Sequence, residues 1–404
     1  MTLLPAGVDA AARPLLIGRA LRGFADGYVA VLLPAYLLGL GFGQFDVGVL
    51  STATLAGSAV ATLAVGAVGH RWPSRKLLRG AAVLMAATGL CFAGLSSFWP
   101  LLLVAFVGTL NPSSGDVSVF LPLEHARLAN AAGGDARTVL FARYSLTGAL
   151  SAAVGALAAA VPPWLVAHAG VPLLHGLRAM FVLYGLVGAA VWLLYRQMPA
   201  AVGVAAGPAA PLGPSRSIVF KLAALFSVDA FAGGLVVNSL LSLWLFERFG
   251  LSLAQAGMFF FGSGLLAAGS QMAAPVVARR IGLLNTMVFT HIPANVCLIL
   301  AALAPNLGLA LTLLFVRSAL SQMDVPTRSA FVMAVVTPPE RAAAASYTAV
   351  PRSLAAAASP TLAGALLAAG FLGTPLILCG ALKIGYDLAI WVSFRRVKPQ
   401  SDQD

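Results

Sequence analysis

Two aspartates lie deep inside long apolar segments of the sequence, where a charged side chain is energetically expensive. Asp26 falls within the segment 14–40, and Asp229 falls within the segment 217–246. An ionisable side chain at the centre of a bilayer costs roughly 2.5–3.5 kcal/mol on insertion scales, so each one requires a reason. Burial favours the neutral form of a carboxyl group, which suits a residue that exchanges protons or contacts a substrate. The structural alternative is an ion pair between Asp26 and Arg22, one helical turn away.

Arg317 is the candidate for binding an anion, because a guanidinium offers a planar pair of donors to a carboxylate or phosphate. It could equally neutralise Asp229. Lys383 and Asp387, four residues apart, are instead expected to form a local ion pair. Weaker candidates for substrate contact are the polar residues Asn111, Ser114, Asn238 and Gln322. Pro112 weakens the helix beside two of them and could leave backbone groups free for a substrate.

The composition indicates that these residues belong to a membrane protein. With 60% hydrophobic and 9% charged residues, the chain carries more apolar surface than a soluble core could bury. About 20 apolar residues span a bilayer as a helix, and no segment alternates with the period of a strand. An all-α membrane fold is therefore predicted. Its twelve spanning segments are 14–40, 46–68, 77–97, 100–122, 139–161, 178–198, 217–246, 253–276, 284–304, 308–336, 343–370 and 374–395.

The distribution of basic residues predicts the orientation of these segments. Lys and Arg are concentrated in one set of short loops, which the positive-inside rule places in the cytoplasm, together with both termini. Because the net charge of +12 is spread over these loops, no nucleic-acid partner is predicted. The Ala-, Gly- and Pro-rich stretch 199–216 is expected to be a cytoplasmic linker between six-helix bundles at 1–198 and 217–404. The N-terminus lacks a basic leader, so no cleavable signal peptide is expected.

Several charged positions recur 209 residues apart, which indicates two similar halves. The recurring pairs are Arg71 and Arg280, Arg143 and Arg352, and, within one position, Asp116 and Asp324. Charged residues are rare in this chain, so their recurrence carries more weight than that of its many Ala and Leu residues. The centre of the molecule does not repeat, because Asp26 and Asp229 are separated by a different interval.

The two halves and their basic loops resemble the major facilitator superfamily over nearly the whole chain. Gly66, Arg71 and Arg75 fit the loop signature of that family, whereas His70 replaces its aspartate. Arg280 lies at the corresponding place in the second half. The resemblance implies two bundles related by pseudo-twofold symmetry, which work by rocker-switch alternating access. It also implies a central cavity lined by the first, fourth, seventh and tenth helices, which are the segments that carry the buried charges.

The repeated acids and arginines suggest a gate on the cytoplasmic side. Pseudo-twofold symmetry would let Asp116 meet Arg352 and let Asp324 meet Arg143 when the protein faces outward. The alternative is pairing within each half, for example between Asp324 and Arg328, four residues further on.

The residues and the resemblance together predict a proton-coupled secondary transporter of a small organic solute in the inner cell membrane, with export among the directions left open. The alternatives are a transporter of carboxylate- or phosphate-type organic anions that uses Arg317, and a non-transporting receptor of the same fold. The sequence contains no P-loop and no evident nucleophile–base pair, so neither an ATPase nor another enzyme is expected. Its cysteines lack metal-type spacing, and no metal or cofactor is predicted. The expected partners are the substrate, protons and membrane lipid, and the protein is expected to be a monomer.

Overall fold

The computed structural model describes residues 8–9, 12–68, 71–113, 118–198, 212–337 and 340–396, whose regular structure is helical. Nine helical stretches in this described part are long and apolar enough to cross a membrane. In chain order the helices are α1 (Arg13–Gly39), α2 (Gln44–Val68), α3 (Ser74–Gly94), α4 (Phe98–Val107), α5 (Phe120–Ala131), α6 (Gly134–Leu157), α7 (Val161–Ala169), α8 (Leu173–Arg196), α9 (Arg216–Gly234), α10 (Asn238–Phe249), α11 (Leu253–Ile281), α12 (Leu283–Ala302), α13 (Leu307–Ser321), α14 (Asp324–Val335), α15 (Arg341–Ala358), α16 (Pro360–Ala368) and α17 (Thr374–Phe394).

Helix occupies every predicted spanning segment, but four segments are divided into two helices each. The segment 100–122 holds α4 and the start of α5, 217–246 holds α9 and α10, 308–336 holds α13 and α14, and 343–370 holds α15 and α16. A further short helix, α7, follows α6. Three of the divided segments, 100–122, 308–336 and 343–370, are missing from the nine long apolar stretches, whereas α9 and α10 together form one of the nine.

The break after α4 has a local cause in its polar residues. Pro112 has no backbone N–H to donate to a helix. The Asn111 side-chain oxygen accepts hydrogen bonds from the backbone N–H of Ser113 at 3.1 Å and from its hydroxyl at 2.8 Å. Such local bonds compete with helical ones. The break could have left backbone groups free for a substrate, but the Pro112 carbonyl accepts from the backbone N–H of Ser239 at 3.0 Å.

The first of two compact units comprises Met1–Ala205 and Asn238–Phe261. It therefore includes α1 to α8, α10 and the start of α11. Helix α1 is buried along most of its length and packs mainly on α6 and α8. The α1–α6 approach is so close that a Cβ atom added at Gly155 would lie 2.0 Å from the Phe24 carbonyl oxygen. Small residues at such crossings let helix backbones touch, which holds helices together where lipid removes the hydrophobic drive.

The second unit comprises Ala206–Val237 and Gly262–Asp404. Within it α15 packs on α9, and α12 packs on both α13 and α17. A buried apolar cluster includes Phe226 of α9, Phe331 of α14, and Tyr386 and Phe394 of α17. These helices hold a group of charged side chains next to the cluster. Most of the predicted linker, residues 199–211, lies outside the described residues, so the proposed half boundaries remain a prediction.

Candidate functional site

A buried glutamate is the centre of a polar cluster in the first unit. Glu124 of α5 is completely inaccessible to solvent. Its carboxylate accepts hydrogen bonds from the Arg22 guanidinium of α1 and from the hydroxyls of Tyr144 of α6 and Tyr195 of α8. The Arg22 guanidinium carbon also lies 4.1 Å from the centre of the Phe120 ring. Four helices are thus joined through one carboxylate, whose charge Arg22 neutralises.

Sequence reasoning missed Glu124 because it lies two residues beyond the predicted end of the fourth segment. The residue therefore seemed to belong to a cytoplasmic loop. In the structure α5 continues past that point to Ala131, and the acid faces its neighbours in the unit rather than water. No local signal pointed to Glu124, because its partner Arg22 already had Asp26 as a possible partner one turn away in the sequence.

Asp26 is not paired with Arg22, as the structural alternative required. Arg22 is held by Glu124 instead. Asp26 is buried on α1 and forms no ion pair with any other described residue. The cations with the strongest electrostatic effect on it are Arg22 and then Arg19. Asp26 is therefore a buried carboxyl without a direct counter-ion in the described part of the chain.

Asp229 has the opposite surroundings in the second unit. One of its oxygens accepts from Nζ of Lys383 on α17 at 2.5 Å, and the other accepts from Nη1 of Arg328 on α14 at 3.0 Å. The same Arg328 nitrogen lies 3.1 Å from Asp324, one turn earlier on α14. All four side chains are buried. Burying this many charges requires such mutual neutralisation, because an unpaired buried charge is costly.

Two ion pairs considered from the sequence are corrected by the structure. The counter-ions of Asp229 are Lys383 and Arg328, and Arg317 is not among them. Lys383 does not pair with Asp387. Instead, Nδ1 of His291 on α12 lies 2.9 Å from the Asp387 carboxylate. In each case the partner belongs to a different helix, which helical spacing alone could not reveal.

Arg317 and Arg352 have no acid within ion-pair distance among the described residues. Nε of Arg317, on α13, is buried and has no hydrogen-bond acceptor in this part of the chain. Arg352, on α15, is exposed, and its strongest electrostatic effect comes from the like charge of Arg328. Neither arginine is therefore neutralised by a direct ion pair in this part of the chain.

The remaining polar candidates are held by neighbours in their own units. The side-chain oxygen of Gln322 accepts from Gln271 at 3.3 Å. Asn238 begins α10, where its carbonyl accepts from the Ser242 hydroxyl at 2.9 Å. Ser114 lies outside the described residues.

The predicted gate is not tested by these contacts. Asp116 lies outside the described residues, and Asp324 contacts Arg328 of its own helix. Arg143 of α6 is partly buried and Arg352 is exposed. A gate made by these four residues therefore remains a prediction.

The basic loop residues lie at helix ends. Arg71 and Arg280 are exposed, and a Cβ atom at Gly66 would meet nothing within 4 Å. Nη1 of Arg75 donates to the Met198 carbonyl at 3.0 Å, which ties the start of α3 to the end of α8.

A second anchor in the loops involves Glu340, just before α15. Its carboxylate accepts from the backbone N–H groups of Gly213 and Ser215 and from the Thr337 hydroxyl, the last at 2.6 Å. The hydrogen bonds from Ser215, Thr337 and Gly213 lower the pKa of Glu340 to about 2. Since Ser215 is the N-cap of α9, a negative charge there also favours the positive end of the helix dipole.

Comparison with known proteins places this arrangement in a family. The sequence model of the Major Facilitator Superfamily matches residues 15–323, which is more than half of the chain. The chain belongs to the Major Facilitator Superfamily. This membership confirms the resemblance seen in the sequence and the all-helical membrane fold, and it identifies the protein as a multi-pass secondary transporter of a small solute rather than an enzyme.

Individual known proteins are similar to this chain along nearly its whole length. An uncharacterized membrane protein of Saccharomyces cerevisiae is 23% identical over 410 residues, which cover 93% of this chain and 92% of the yeast protein. The nucleoside transporter NupG superimposes with a TM-score of 0.70 at 15% identity, over 96% of this chain and 100% of NupG. The xylose transporter XylE from E. coli, in an inward-open conformation, gives a TM-score of 0.72 at 14% identity, over 96% and 98% of the two chains. At such identities the two structural matches establish the fold alone.

Proposed function

We propose that the protein is a proton-coupled transporter that moves a small organic solute by rocker-switch alternating access, with Asp26 as the proton-binding residue. The observation that carries the proposal is the absence of a direct counter-ion for this buried carboxyl in the described part of the chain. An ionised carboxylate in such surroundings is costly, and a bound proton removes the cost. Access to water in one conformation and not in another would then load and release the proton.

The Arg22–Glu124 pair supports the assignment of Asp26 rather than weakening it. Arg22 lies one turn before Asp26 and would neutralise it if Glu124 were absent. The guanidinium donates to Glu124, whose carboxylate also accepts from two tyrosine hydroxyls. Among the described residues Asp26 therefore has no cation in direct contact that could replace the proton. A movement that brought Arg22 towards Asp26 would favour proton release.

Asp229 is proposed to have a different role from Asp26. Lys383 and Arg328 both contact its carboxylate, so its negative charge is stabilised without a proton. We assign it the task of holding these two cations in position. This separates two aspartates that the sequence alone treats as equivalent.

The membrane and orientation of the transporter are part of the same proposal. The basic loops, among them those with Arg71, Arg75 and Arg280, favour a cytoplasmic location for these loops and both termini in the inner cell membrane. Cysteine labelling of single loop positions in intact and permeabilised cells tests this orientation. Labelling of a loop cysteine next to Arg280 in intact cells by a membrane-impermeant reagent would contradict it.

Proton coupling is tested in two steps, because a transported compound must first be identified. A thermal-shift screen of the purified protein against metabolites, drugs and metal ions supplies a compound that stabilises it. Uptake of that compound into proteoliposomes is then measured with and without an inward or outward pH gradient. We expect accumulation to require the gradient in the wild-type protein.

Asp26→Asn separates coupling from transport. The variant mimics the protonated carboxyl, so exchange of labelled for unlabelled compound should continue while gradient-driven accumulation falls at least about tenfold. Glu247→Gln removes an exposed carboxylate of the same unit and serves as the control that should keep both activities. Gradient-driven accumulation that survives in Asp26→Asn would show that another residue binds the proton.

A further inference from the structure

Two arginines in the helices of the second unit have no acidic partner among the described residues. Arg328 and Lys383 are neutralised by Asp229 and Asp324, and Asp387 is in contact with His291. Two cations are left over, which are Arg317 and Arg352. Neither has an acid within ion-pair distance in the described residues, and every acid near them is already in contact with another group.

Arg317 is held in surroundings that offer its guanidinium no acceptor. Its Nε is buried without a hydrogen-bond partner among the described residues. The titratable neighbour with a resolved electrostatic effect on it in the described part of the chain is Cys379 of α17, one turn before Lys383. A buried donor without an acceptor costs roughly 1–3 kcal/mol, and more when it is charged. A ligand that accepts from this guanidinium would remove that cost.

Arg352 is exposed in this structure and is opposed by a like charge. Its side chain is exposed, and Arg328 is the charge that affects it most. The nearby carboxylates of Asp229 and Asp324 contact Arg328 and Lys383 rather than Arg352. An anion beside Arg352 would relieve this repulsion, whereas a cationic ligand would increase it.

The helices that carry the two arginines restrict the rest of the ligand. The α13 sequence around Arg317 is otherwise mostly Leu, Ala and other apolar residues, and α15 is rich in Ala. Ligand sites lined mainly by aliphatic side chains bind the apolar part of a ligand and fix its orientation through a few polar groups. A small carboxylate or phosphate ester with an apolar body matches both properties.

We infer that the transported solute is an organic anion and that Arg317 and Arg352 are the two positions of the second unit that bind its anionic group. This rests on the proposed function, since it names the substrate class of the same transporter. It does not depend on proton coupling, because the two arginines and Asp26 belong to different units.

Thermal unfolding of the purified full-length protein in detergent tests the inference with a fixed set of probes. Benzoate and phenyl phosphate are compared with benzyl alcohol and benzylamine at the same concentration, pH and ionic strength. We expect at least one of the two anions to raise the Tm by about 2 °C or more, while the alcohol and the amine do not. The two anions also distinguish carboxylate from phosphate recognition.

Variants of the two arginines test whether the anion binds at these positions. Arg317→Gln and Arg352→Gln should each reduce the anion-induced shift by at least half, and the double variant should abolish it. Arg395→Gln removes an exposed cation that lies over Trp391 in the same unit and should keep the full shift. Without a ligand, Arg317→Gln should be at least as stable as the wild type, because the cation it removes has no partner. A purely structural role would lower that Tm.

Several outcomes would overturn the inference. These are stabilisation by neither anion, equal stabilisation by benzylamine, or an unchanged shift in the double variant. If Arg317→Gln does not fold, Arg317→Lys is used, which keeps the charge but loses the planar fork and should give a smaller shift. Asp26→Asn should retain the anion-induced shift. A failure of proton coupling and a failure of anion recognition are therefore distinguishable.

Discussion

Arg328 contacts two carboxylates at once, and this makes it the most consequential single residue of the second unit. Its Nη1 lies 3.0 Å from Asp229 and 3.1 Å from Asp324, and all three side chains are buried. Lys383 contacts Asp229 alone. Loss of Arg328 would therefore leave Asp324 as a buried acid without a counter-ion and Asp229 with one cation instead of two.

We expect Arg328→Met to lower the free energy of unfolding by about 3–5 kcal/mol, the cost of removing one partner of a buried ion pair. The measurement is unfolding in mixed micelles by SDS titration, with Arg395→Met as the control for loss of an exposed arginine. The additional change Asp324→Asn should recover part of the loss, because it removes the unpaired charge. Losses that simply add in the double variant would contradict this network.

At the residue scale, the sequence was a better guide to the helices that carry charged residues than to the ion-pair partners of those residues. Asp26 and Asp229 lie in helical stretches that are long and apolar enough to cross a membrane, and Arg317 lies on the shorter helix α13. Their contacts, however, join residues that are about a hundred positions apart, such as Arg22 with Glu124. Helical spacing reports only neighbours three or four positions away, so it suggested Arg22 for Asp26 and Asp387 for Lys383. In both cases a group on another helix binds the cation.

At the scale of elements, apolar periodicity located the spanning segments but not their interruptions. The sequence drew attention to Pro112 in the fourth segment, where α4 does end early. The division between α13 and α14 at Gln322 and Met323 contains neither Gly nor Pro, so no local signal marked it. Tertiary contacts decide such breaks, and a single sequence does not contain them in readable form.

The close contact between α1 and α6 requires a glycine at the crossing, because there is no room for a side chain at position 155. We expect Gly155→Leu to destabilise the protein by at least about 1–3 kcal/mol, because a Cβ atom there would lie 2.0 Å from the Phe24 carbonyl oxygen and the helices would have to separate. Since Asp26 lies on α1, proton-driven transport should also fall. Thermal unfolding and proteoliposome uptake measure the two effects.

Gly66→Ala is the matched control for this crossing. The added methyl group meets nothing within 4 Å, and Ala is the better helix former, so stability should be unchanged or slightly higher. If Gly155→Leu behaved like Gly66→Ala, the close packing of α1 on α6 would be wrong.

At the scale of the whole molecule, the two compact units do not follow the chain as two uninterrupted halves. Asn238–Phe261 belongs to the first unit although it follows the central linker in sequence. Within that unit the hydroxyls of Ser239 and Ser51 lie 3.3 Å apart, and Trp244 of α10 is almost completely buried. A repeat of charged positions could not predict this, because it records the two halves of the sequence and not the units into which they fold.

Separate expression of the two halves tests whether the first unit needs α10. A fragment of residues 1–205 lacks α10, so it should expose the surfaces of α1 and α2 that α10 covers and should be degraded or aggregated when expressed alone. Co-expression with residues 206–404 should restore a stable fragment 1–205. Affinity purification through a tag on either fragment should then recover the two fragments in about equal amounts. A full-length protein cleaved at a protease site inserted within 199–211 is the control for the broken linker. If the fragment 1–205 were monodisperse alone, with the Tm of the co-expressed pair, α10 would not be an essential part of the first unit.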